Sequence, residues 1–395
     1  MMNKKLSKIR CIAIFLSTIS ATLISTMAHA DWSIIDLSST NSVAWGINDS
    51  GQVVGSFTSA SGYTHAFITG PNGIGMTDLG TLLGAAGSVA RGINDSGQVV
   101  GMSGNNHPFI TGPNGMGMTD LGNLGGSYSS ANGINDSGQV VGWSGIIGDS
   151  HSHAFITGPN GMGMADLGTL YPNRNSNAAA INDSGQVVGS ATTDHYYSHA
   201  FITGPNGIGM TDLGTLGGTT SFAKDINDSG QVVGGADAIS FSHEYSHAFI
   251  TGPNGMGMTD LGTLGGKYSF ANGINDSGEV VGLAYTIGDS GLDNFHSFIF
   301  SHGGMTDLNV LDAVVAAGWS HLYVTDINNH GQIVGYGVHN GFSDKAFLLT
   351  YTQNTIFTPS PIFIPPVPEQ ETYAMLLAGL GLMGFVARRK KVSAI

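Results

Sequence analysis

Short apolar strings separated by turn residues recur along most of the chain. The string Ile-Asn-Asp-Ser-Gly-Gln-Val-Val-Gly begins at Ile47, and its further copies, the last of them diverged, begin at Ile93, Ile134, Ile181, Ile226, Ile274 and Ile327. A second string, His-Ala-Phe-Ile-Thr-Gly-Pro-Asn-Gly, and a third, Asp-Leu-Gly-x-Leu, accompany most copies. Neighbouring copies of the first string are 41 to 53 residues apart. This period is typical of propellers, solenoids and other repeat arrays.

Each repeat predicts four short strands. Asn-Asp-Ser-Gly and Gly-Pro-Asn-Gly are tight-turn sequences, and each lies between two strand-like segments rich in Val, Ile, Phe or Leu. Between the two chain ends, no segment shows a convincing apolar period of 3.6 residues, which a helix would require. We therefore expect an all-β fold.

The two ends of the repeat region complement each other. If the first repeat starts before Ile47, the seventh ends after three strands, at residues 346–349, and residues 33–37 supply the missing fourth one. Such pairing would leave no free sheet edge. The sequence therefore predicts, over residues 31–352, a seven-bladed β-propeller of four-stranded blades in which the N-terminal strand closes the last blade. The alternative is a right-handed β-solenoid, although solenoid coils are usually shorter, about 20–30 residues.

The N-terminus has the pattern of a secretory signal peptide. Four basic residues precede the apolar residues 11–27, and small residues at Ala28 and Ala30 form a cleavage site. We predict a signal peptide over residues 1–30; a membrane-spanning anchor is the alternative. The only cysteine, Cys11, would leave with this peptide, so the exported protein depends on packing instead of disulfides.

The C-terminus has three parts. A proline-rich linker over residues 353–372 precedes the uncharged residues 373–387, and a basic tail over residues 388–395 follows. As a helix, residues 373–387 would span about 22 Å, short of the roughly 30 Å apolar layer of a membrane. A flanking tyrosine and snorkelling cations would extend it, so we predict a transmembrane helix with a cytoplasmic tail. An amphipathic or buried helix is the alternative. The basic stop consists of Arg388, Arg389, Lys390 and Lys391.

This tail resembles the PEP-CTERM sorting signal of Gram-negative bacteria. The resemblance rests on Val367, Pro368 and Glu369, the Leu/Gly-rich segment after them and the basic stop. It implies that a membrane exosortase processes the chain near the Pro-Glu pair and releases it into the outer envelope or extracellular matrix. Gln370 stands where the family usually has a second proline. A retained inner-membrane anchor is therefore the alternative.

The repeat strings themselves resemble the HAF repeat family of extracellular proteins, which is named after the His-Ala-Phe motif. The resemblance covers residues 32–351 and implies secretion and a repetitive architecture. It implies no particular activity.

The charged residues are distributed unevenly along the chain. The whole sequence has a net charge of −14, but residues 31–352 hold 25 of its 27 acidic and only five of its 13 basic residues, a net charge of −20. Because so acidic a surface repels phosphate backbones, we expect no nucleic-acid partner.

Loop length indicates which face of the propeller carries function. Both tight turns of each repeat are expected on one face. On the other, the insert between Val-Val-Gly and the histidine position varies from five residues, 102–106, to 13, residues 283–295. Drift in unconstrained loops is the alternative. Aromatic residues that could stack on sugar rings lie in or beside these loops, which predicts a polysaccharide ligand; packing on the rim is the other interpretation. They are Tyr63, Tyr196, Tyr197, Phe241, Tyr245, Tyr285 and Phe295.

Repeated polar residues raise two metal hypotheses. The repeated histidines (His65, His107, His153, His199, His247 and His296) would be spread around a wide ring, whereas zinc needs converging ligands, so a structural hydrogen bond is expected. The repeated aspartates lack the alternating spacing of a calcium loop, and a local Asx turn is expected instead, with calcium as the alternative. They are Asp49, Asp95, Asp136, Asp183, Asp228 and Asp276. We expect no cofactor.

Catalysis has little support, because a glycosidase needs a distinct pair of carboxylates in one cleft. The unrepeated loop acids are Asp149, Asp194, Asp237, Glu244, Asp289 and Asp293. The sequence thus predicts a secreted, non-enzymatic protein that binds polysaccharide in the extracellular matrix. A polysaccharide-cleaving enzyme using the loop acids and a purely structural spacer are the alternatives.

Overall fold

The computed structural model describes residues 30–353 except for residues 39, 105, 149–150, 241–242 and 288–294. In this part the chain forms seven separate four-stranded antiparallel sheets. The predicted basic tail, transmembrane helix, sorting motif and signal cleavage residue Ala28 lie outside the described residues. Ala30, the last residue of the predicted signal peptide, is the first residue of the first strand.

The strand bounds follow the repeat strings. After β1 (Ala30–Asp36), blades 1 to 3 consist of β2 (Ser42–Ile47), β3 (Val53–Thr58), β4 (Thr64–Thr69), β5 (Met76–Gly80), β6 (Ser88–Ile93), β7 (Val99–Ser103), β8 (His107–Thr111), β9 (Met118–Asp120), β10 (Gly125–Ile134), β11 (Val140–Ile146), β12 (Ser152–Thr157) and β13 (Met164–Gly168). Blades 4 to 7 consist of β14 (Ser176–Ile181), β15 (Val187–Thr192), β16 (Ser198–Thr203), β17 (Met210–Gly214), β18 (Gly217–Ile226), β19 (Val232–Ser240), β20 (His243–Thr251), β21 (Met258–Asp260), β22 (Gly265–Ile274), β23 (Val280–Thr286), β24 (Phe295–Ser301), β25 (Gly304–Asp307), β26 (Trp319–Ile327), β27 (Ile333–His339) and β28 (Phe342–Gln353).

The last blade is closed by the first strand of the chain. Its strand order is β1-β28-β27-β26, whereas the other six blades each use four consecutive strands. The Leu37 amide donates to the Ala346 carbonyl at 3.0 Å, and the Trp32 and Tyr351 rings lie 5.0 Å apart. The predicted seven-bladed, four-stranded propeller with its N-terminal closure is therefore confirmed, and separate sheets exclude the solenoid.

The hydrophobic core lies between the blades. The phenylalanine of each His-Ala-Phe string, or its equivalent, is fully buried (Phe67, Phe109, Phe155, Phe201, Phe249, Phe298 and Phe347). In the cluster between blades 7 and 1, Val334 and Leu348 pack with Ile47 and Phe67. Burial of one such side chain contributes roughly 2 kcal/mol, so these contacts stabilise the ring without disulfides.

One α-helix departs from the all-β expectation among the described residues, besides short 3-10 turns. The helix α1 (Asp312–Ala316) precedes the innermost strand of blade 7, and its Val314 is buried against Leu308 and Trp319. A five-residue helix is too short to show a periodic apolar pattern, so the sequence carried no signal for it. Among the described residues, no helix has the length and apolar character needed to cross a membrane.

Both tight turns of a blade lie on the same face of the propeller, as predicted. In blade 1 the Gly73 amide donates to the Gly51 carbonyl at 3.0 Å, and Asn72 lies against Ser50. Gly51 has a φ of 76°, a conformation that favours glycine. The variable loops and the connections between blades therefore lie on the opposite face, which we call the loop face.

Candidate functional site

The face that carries both tight turns of each blade is called the turn face. At its centre, the innermost strands end in a closed ring of asparagines. Asn48 Nδ2 donates to the Asn94 carbonyl at 3.0 Å, and every blade repeats this bond to the next one. Asn328 completes the circle by donating to the Asn48 carbonyl at 2.9 Å. The intermediate donors are Asn94, Asn135, Asn182, Asn227 and Asn275. This asparagine ring ties each blade to the next.

The repeated aspartates form a second ring, and the Asx-turn prediction for them was wrong. The Asp49 amide donates to Asp95 Oδ1 of the next blade at 2.9 Å, and equivalent bonds link successive blades around the circle. The local turn is held instead by Asn48, whose Oδ1 accepts the Gln52 amide at 2.9 Å and the Ser50 hydroxyl at 2.8 Å. The aspartates thus fasten neighbouring blades.

Six of these seven ring positions are carboxylates, and they surround a cavity of about 180 Å³. Burial raises the pKa of Asp95 and Asp183, and the neighbouring ring carboxylates raise it further. At the seventh position, Asn329 Nδ2 donates to Asp49 Oδ2 at 3.1 Å and to Asp276 Oδ2 at 2.8 Å. Within the described part of the chain, no group of three or more His, Cys, Asp or Glu residues is placed to hold a metal ion.

The repeated histidines make the structural hydrogen bond that we expected. His65 Nδ1 lies 2.8 Å from Asp78 Oδ2, while Asp78 Oδ1 accepts the Gly80 amide at 2.8 Å. Blade 7 has Lys345 at the histidine position, and His339 of β27 pairs instead with Asp36 of the closing strand, at 2.9 Å. The other pairs are His107–Asp120, His153–Asp166, His199–Asp212, His247–Asp260 and His296–Asp307. Each histidine is therefore bound within its own blade.

Three of the predicted ligand-binding rings come together on blades 5 and 6. Tyr245 and Tyr285 both contact Tyr268, each at 5.4 Å between ring centroids, and Phe295 lies 4.9 Å from Tyr285. Lys267 Nζ lies 5.4 Å from the Tyr245 centroid. We call the four rings the rim cluster. Sequence reasoning missed Tyr268 because it lies in an innermost strand, outside the loops that were searched.

The other predicted rings do not join the rim cluster. Tyr63 belongs to blade 1 and is 56% exposed, whereas Tyr196 and Tyr197 belong to blade 4 and are 76% and 45% exposed. The Arg174 guanidinium lies 4.0 Å from the Tyr196 ring centroid. Phe241 lies outside the described residues. The seven predicted residues therefore do not form one continuous surface.

A larger cavity, about 710 Å³, runs between the innermost strands; we call it the central channel. Its lining includes the residue two positions before the repeated isoleucine, which differs between blades: Trp45, Arg91, Asn132, Ala179, Lys224, Asn272 and Thr325. Sequence reasoning missed this site, although the variable x before Gly-Ile in otherwise matching strings was the available signal.

Aromatic rings form much of the channel wall. Phe222 and Phe270 of adjacent blades are stacked with their centroids 6.0 Å apart. Elsewhere on the wall, Tyr323 stacks on Tyr336 at 4.9 Å, and Trp45 contacts Tyr336 edge-on at 6.1 Å. The Trp45 indole Nε1 is buried and has no hydrogen-bond partner in the described part of the structure. A buried donor of this kind is costly unless water or a ligand accepts from it.

Two cations face the central channel. Burial lowers the pKa of Arg91 and of Lys224, and the Arg91 charge lowers that of Lys224 further. Both side chains are accessible to water inside the channel, so this desolvation is partial. Lys224 Nζ lies 5.7 Å from the Phe222 centroid, and neither cation has an ion-pair partner among the described residues.

Two carboxyls replace the glycine that precedes the repeated isoleucine in most blades. Asp225 accepts the Ile274 amide at 2.9 Å and Asp326 accepts the Ile47 amide at 3.0 Å, so each bridges to the next blade. Burial raises the pKa of Asp225 to about 7. Burial and the nearby Asp225 together raise the pKa of Asp326 to about 8. Each of these carboxyls therefore connects two neighbouring blades through a hydrogen bond.

The loop acids of the enzyme hypothesis are not assembled into a pair by the described residues. Asp194 lies 2.6 Å from His195, and Asp237 accepts hydrogen bonds from the Thr220 and Ser246 hydroxyls within its own blade. Asp149, Asp289 and Asp293 lie outside the described residues, as does the side chain of Glu244.

Comparisons with known proteins match the sorting tail and the propeller independently of each other. The sequence profile of the PEP-CTERM protein-sorting motif matches residues 366–391. It marks an exported protein that is sorted to the cell envelope by an exosortase. No curated protein matches the sequence.

Solved structures support the fold. The β-propeller domain of the Trilobed protease from Pyrococcus furiosus has a TM-score of 0.51 at 9% identity, covering 82% of this chain and 98% of that one. Oligogalacturonate lyase from Vibrio parahaemolyticus has a TM-score of 0.54 at 8% identity, covering 81% and 96%. At these identities the likeness shows the propeller fold alone.

Proposed function

We propose that this chain is a secreted, non-enzymatic matrix protein whose propeller binds extracellular polysaccharide through the rim cluster. The observation that carries the proposal is the contiguous row of four aromatic rings across blades 5 and 6. Aromatic faces stack on the apolar faces of sugars, and tyrosine hydroxyls tolerate water. A row of such rings matches the repeating units of a glycan better than isolated rings do.

The repeat strings, with their resemblance to HAF repeats, support a secreted protein with a repetitive architecture. The blades differ little in their turns and cores, which favours a scaffold that presents one or two distinct surfaces. An enzyme would instead require a pair of carboxylates at catalytic separation. A polysaccharide-cleaving enzyme remains the second candidate, and a structural spacer is the third.

The rim cluster is tested by glycan-array binding with residues 31–353, which include all seven blades and nearly all of the closing strand. We expect Tyr268→Ala and Tyr285→Ala each to weaken glycan binding about fivefold, since one stacking contact contributes about 1 kcal/mol. Tyr63→Ala is the matched control, because it removes an exposed tyrosine from a distant blade. Equal losses for all three variants, or release of shorter sugars from a bound glycan, would contradict the proposal.

We further propose that an exosortase processes the chain at Val367, Pro368 and Glu369, and that the following apolar segment holds it in the inner membrane until then. Mass spectrometry of the exported protein should then find a C-terminus near this motif. A Glu369→Ala variant should remain at full length in the membrane fraction. An exported protein that retains Arg388 to Lys391 would refute processing.

A further inference from the structure

Arg91 and Lys224 are a concentration of positive charge inside a strongly acidic protein. Residues 31–352 contain only five basic residues against 25 acidic ones, yet two of the five face the central channel. Elsewhere, Arg174 and Lys267 lie over tyrosine rings, and Lys345 donates to backbone carbonyls. The two channel cations come from blades 2 and 5 and line the same cavity, and the Arg91 charge contributes to the lowered pKa of Lys224.

Two like charges in a partly dehydrated channel are unfavourable unless an anion joins them. An anionic group bound between them would relieve both the repulsion and the lost hydration. The site therefore has two positive charges that no carboxylate of the described residues neutralises.

The channel also has a stacking surface and a single favourable entrance for an anion. Phe222 and Phe270 present a stacked pair of rings to the channel, and Lys224 lies over one of them. At the turn face, six carboxylates surround the channel axis and repel anions. An anionic ligand would therefore enter from the loop face. The volume of about 710 Å³ is within the usual range for a small-molecule site.

We infer that the central channel is a binding site for an acidic saccharide whose carboxylate lies between Arg91 and Lys224. The ring of that sugar stacks against Phe222 and Phe270. This goes beyond the proposed function, because the channel is a second site with its own ligand chemistry. It does not depend on the rim cluster.

The test is calorimetric titration of the full chain, kept soluble in a neutral detergent that has no sugar head group. The probes are a uronate trisaccharide, the same trisaccharide with its carboxyls reduced to alcohols, and inorganic sulfate. We expect the uronate to bind at least about tenfold more tightly than either of the others, because a charged hydrogen-bond partner is worth about that factor. Trp45 and Trp143 line the channel, so tryptophan fluorescence should report the same affinity.

Arg91→Gln and Lys224→Gln should each weaken uronate binding about tenfold, and the affinity should fall as salt is added. Arg174→Gln is the matched control, since it removes a cation outside the channel. Lys267→Gln tests the rim cluster and should leave uronate binding unchanged. Unfolding curves for every variant separate lost binding from lost folding.

Three results would overturn the inference. They are equal affinity for the uronate and its reduced form, equal losses for Arg174→Gln and Arg91→Gln, and sulfate binding as tight as that of the uronate. Loss of neutral-glycan binding in the rim variants with uronate binding retained supports two separate sites. Failure of the rim variants to affect any glycan would refute the proposed function and leave the channel result standing.

Discussion

The asparagine ring allows a sharp test of what holds the propeller together. Asn182 is only 4% exposed, and its side chain makes four hydrogen bonds. Its Nδ2 donates to the Asn227 carbonyl at 3.1 Å and to Gln186 Oε1 at 2.9 Å, and its Oδ1 accepts the Gln186 amide at 2.9 Å and the Ser184 hydroxyl at 2.8 Å. Asn182→Ala therefore removes one hydrogen bond between blades and three within the turn.

The expected cost follows from the groups left behind. The buried Gln186 amide loses its acceptor, Asn182 Oδ1, at about 1–3 kcal/mol. The Asn227 carbonyl keeps the Gly230 amide, so the lost bonds to this carbonyl and to Gln186 Oε1 add only about 1 kcal/mol each. We expect Asn182→Ala to lower the free energy of unfolding by about 3 kcal/mol or more, measured by urea denaturation. Asn123→Ala, which removes one exposed bond to the Gly125 amide, should cost less than about 1 kcal/mol.

The sevenfold repetition supplies an internal check on this reasoning. Asn328→Ala breaks the equivalent bond across the junction of blades 7 and 1 and should cost about the same as Asn182→Ala. If both ring variants were as stable as Asn123→Ala, water would be replacing the lost bonds. The asparagine ring would then be a consequence of the fold and not a cause of its stability.

Three further predictions concern charge and closure. Because Asp326 has a folded-state pKa of about 8, above an unfolded value near 4, its contribution to stability is present at low pH and is lost as the pH rises from about 4 to 8. The free energy of unfolding of the wild type, measured by urea titration, should therefore fall relative to that of Asp326→Gly as the pH rises over this window. Parallel pH dependences for the two proteins would refute the raised pKa of Asp326. Lys224→Gln should raise the midpoint of thermal unfolding, because it removes a charge that the channel disfavours; a lower midpoint would show that Lys224 has a stabilising partner. Deleting residues 31–36 should lower that midpoint, since the seventh blade loses its outer strand and the pair between His339 and Asp36; an unchanged midpoint would contradict closure by β1.

The sequence predicted the blades well because turns and core positions are local signals. Asn-Asp-Ser-Gly and Gly-Pro-Asn-Gly each specify a turn within a few residues, and the position of each buried phenylalanine follows from the alternation of its strand. The closing strand was also predictable, because residues 33–37 match the one strand type that the last repeat lacks.

The sites were harder to predict because they depend on contacts between blades. Asp49 and Asn48 are adjacent polar residues in one turn, and only the ring geometry shows that the Asp49 carboxylate bonds the neighbouring blade while Asn48 bonds both its own turn and the next blade. The channel lining was hidden for a similar reason. A register shift between Ala44 and Gly46 interrupts the simple alternation of the innermost strand, so the sequence does not show which side chains face the axis.

The hydrogen bonds of the asparagine ring all run in the same rotational sense, since every blade donates to its successor and accepts from its predecessor. No blade is the first or the last in this ring of hydrogen bonds. A blade added by gene duplication could form the same hydrogen bonds with the blades on both sides. Loss of a blade would bring together two blades that can form them with each other. The hydrogen bonds of this ring therefore do not by themselves fix the number of blades, and the near-identity of the copies makes the junctions interchangeable.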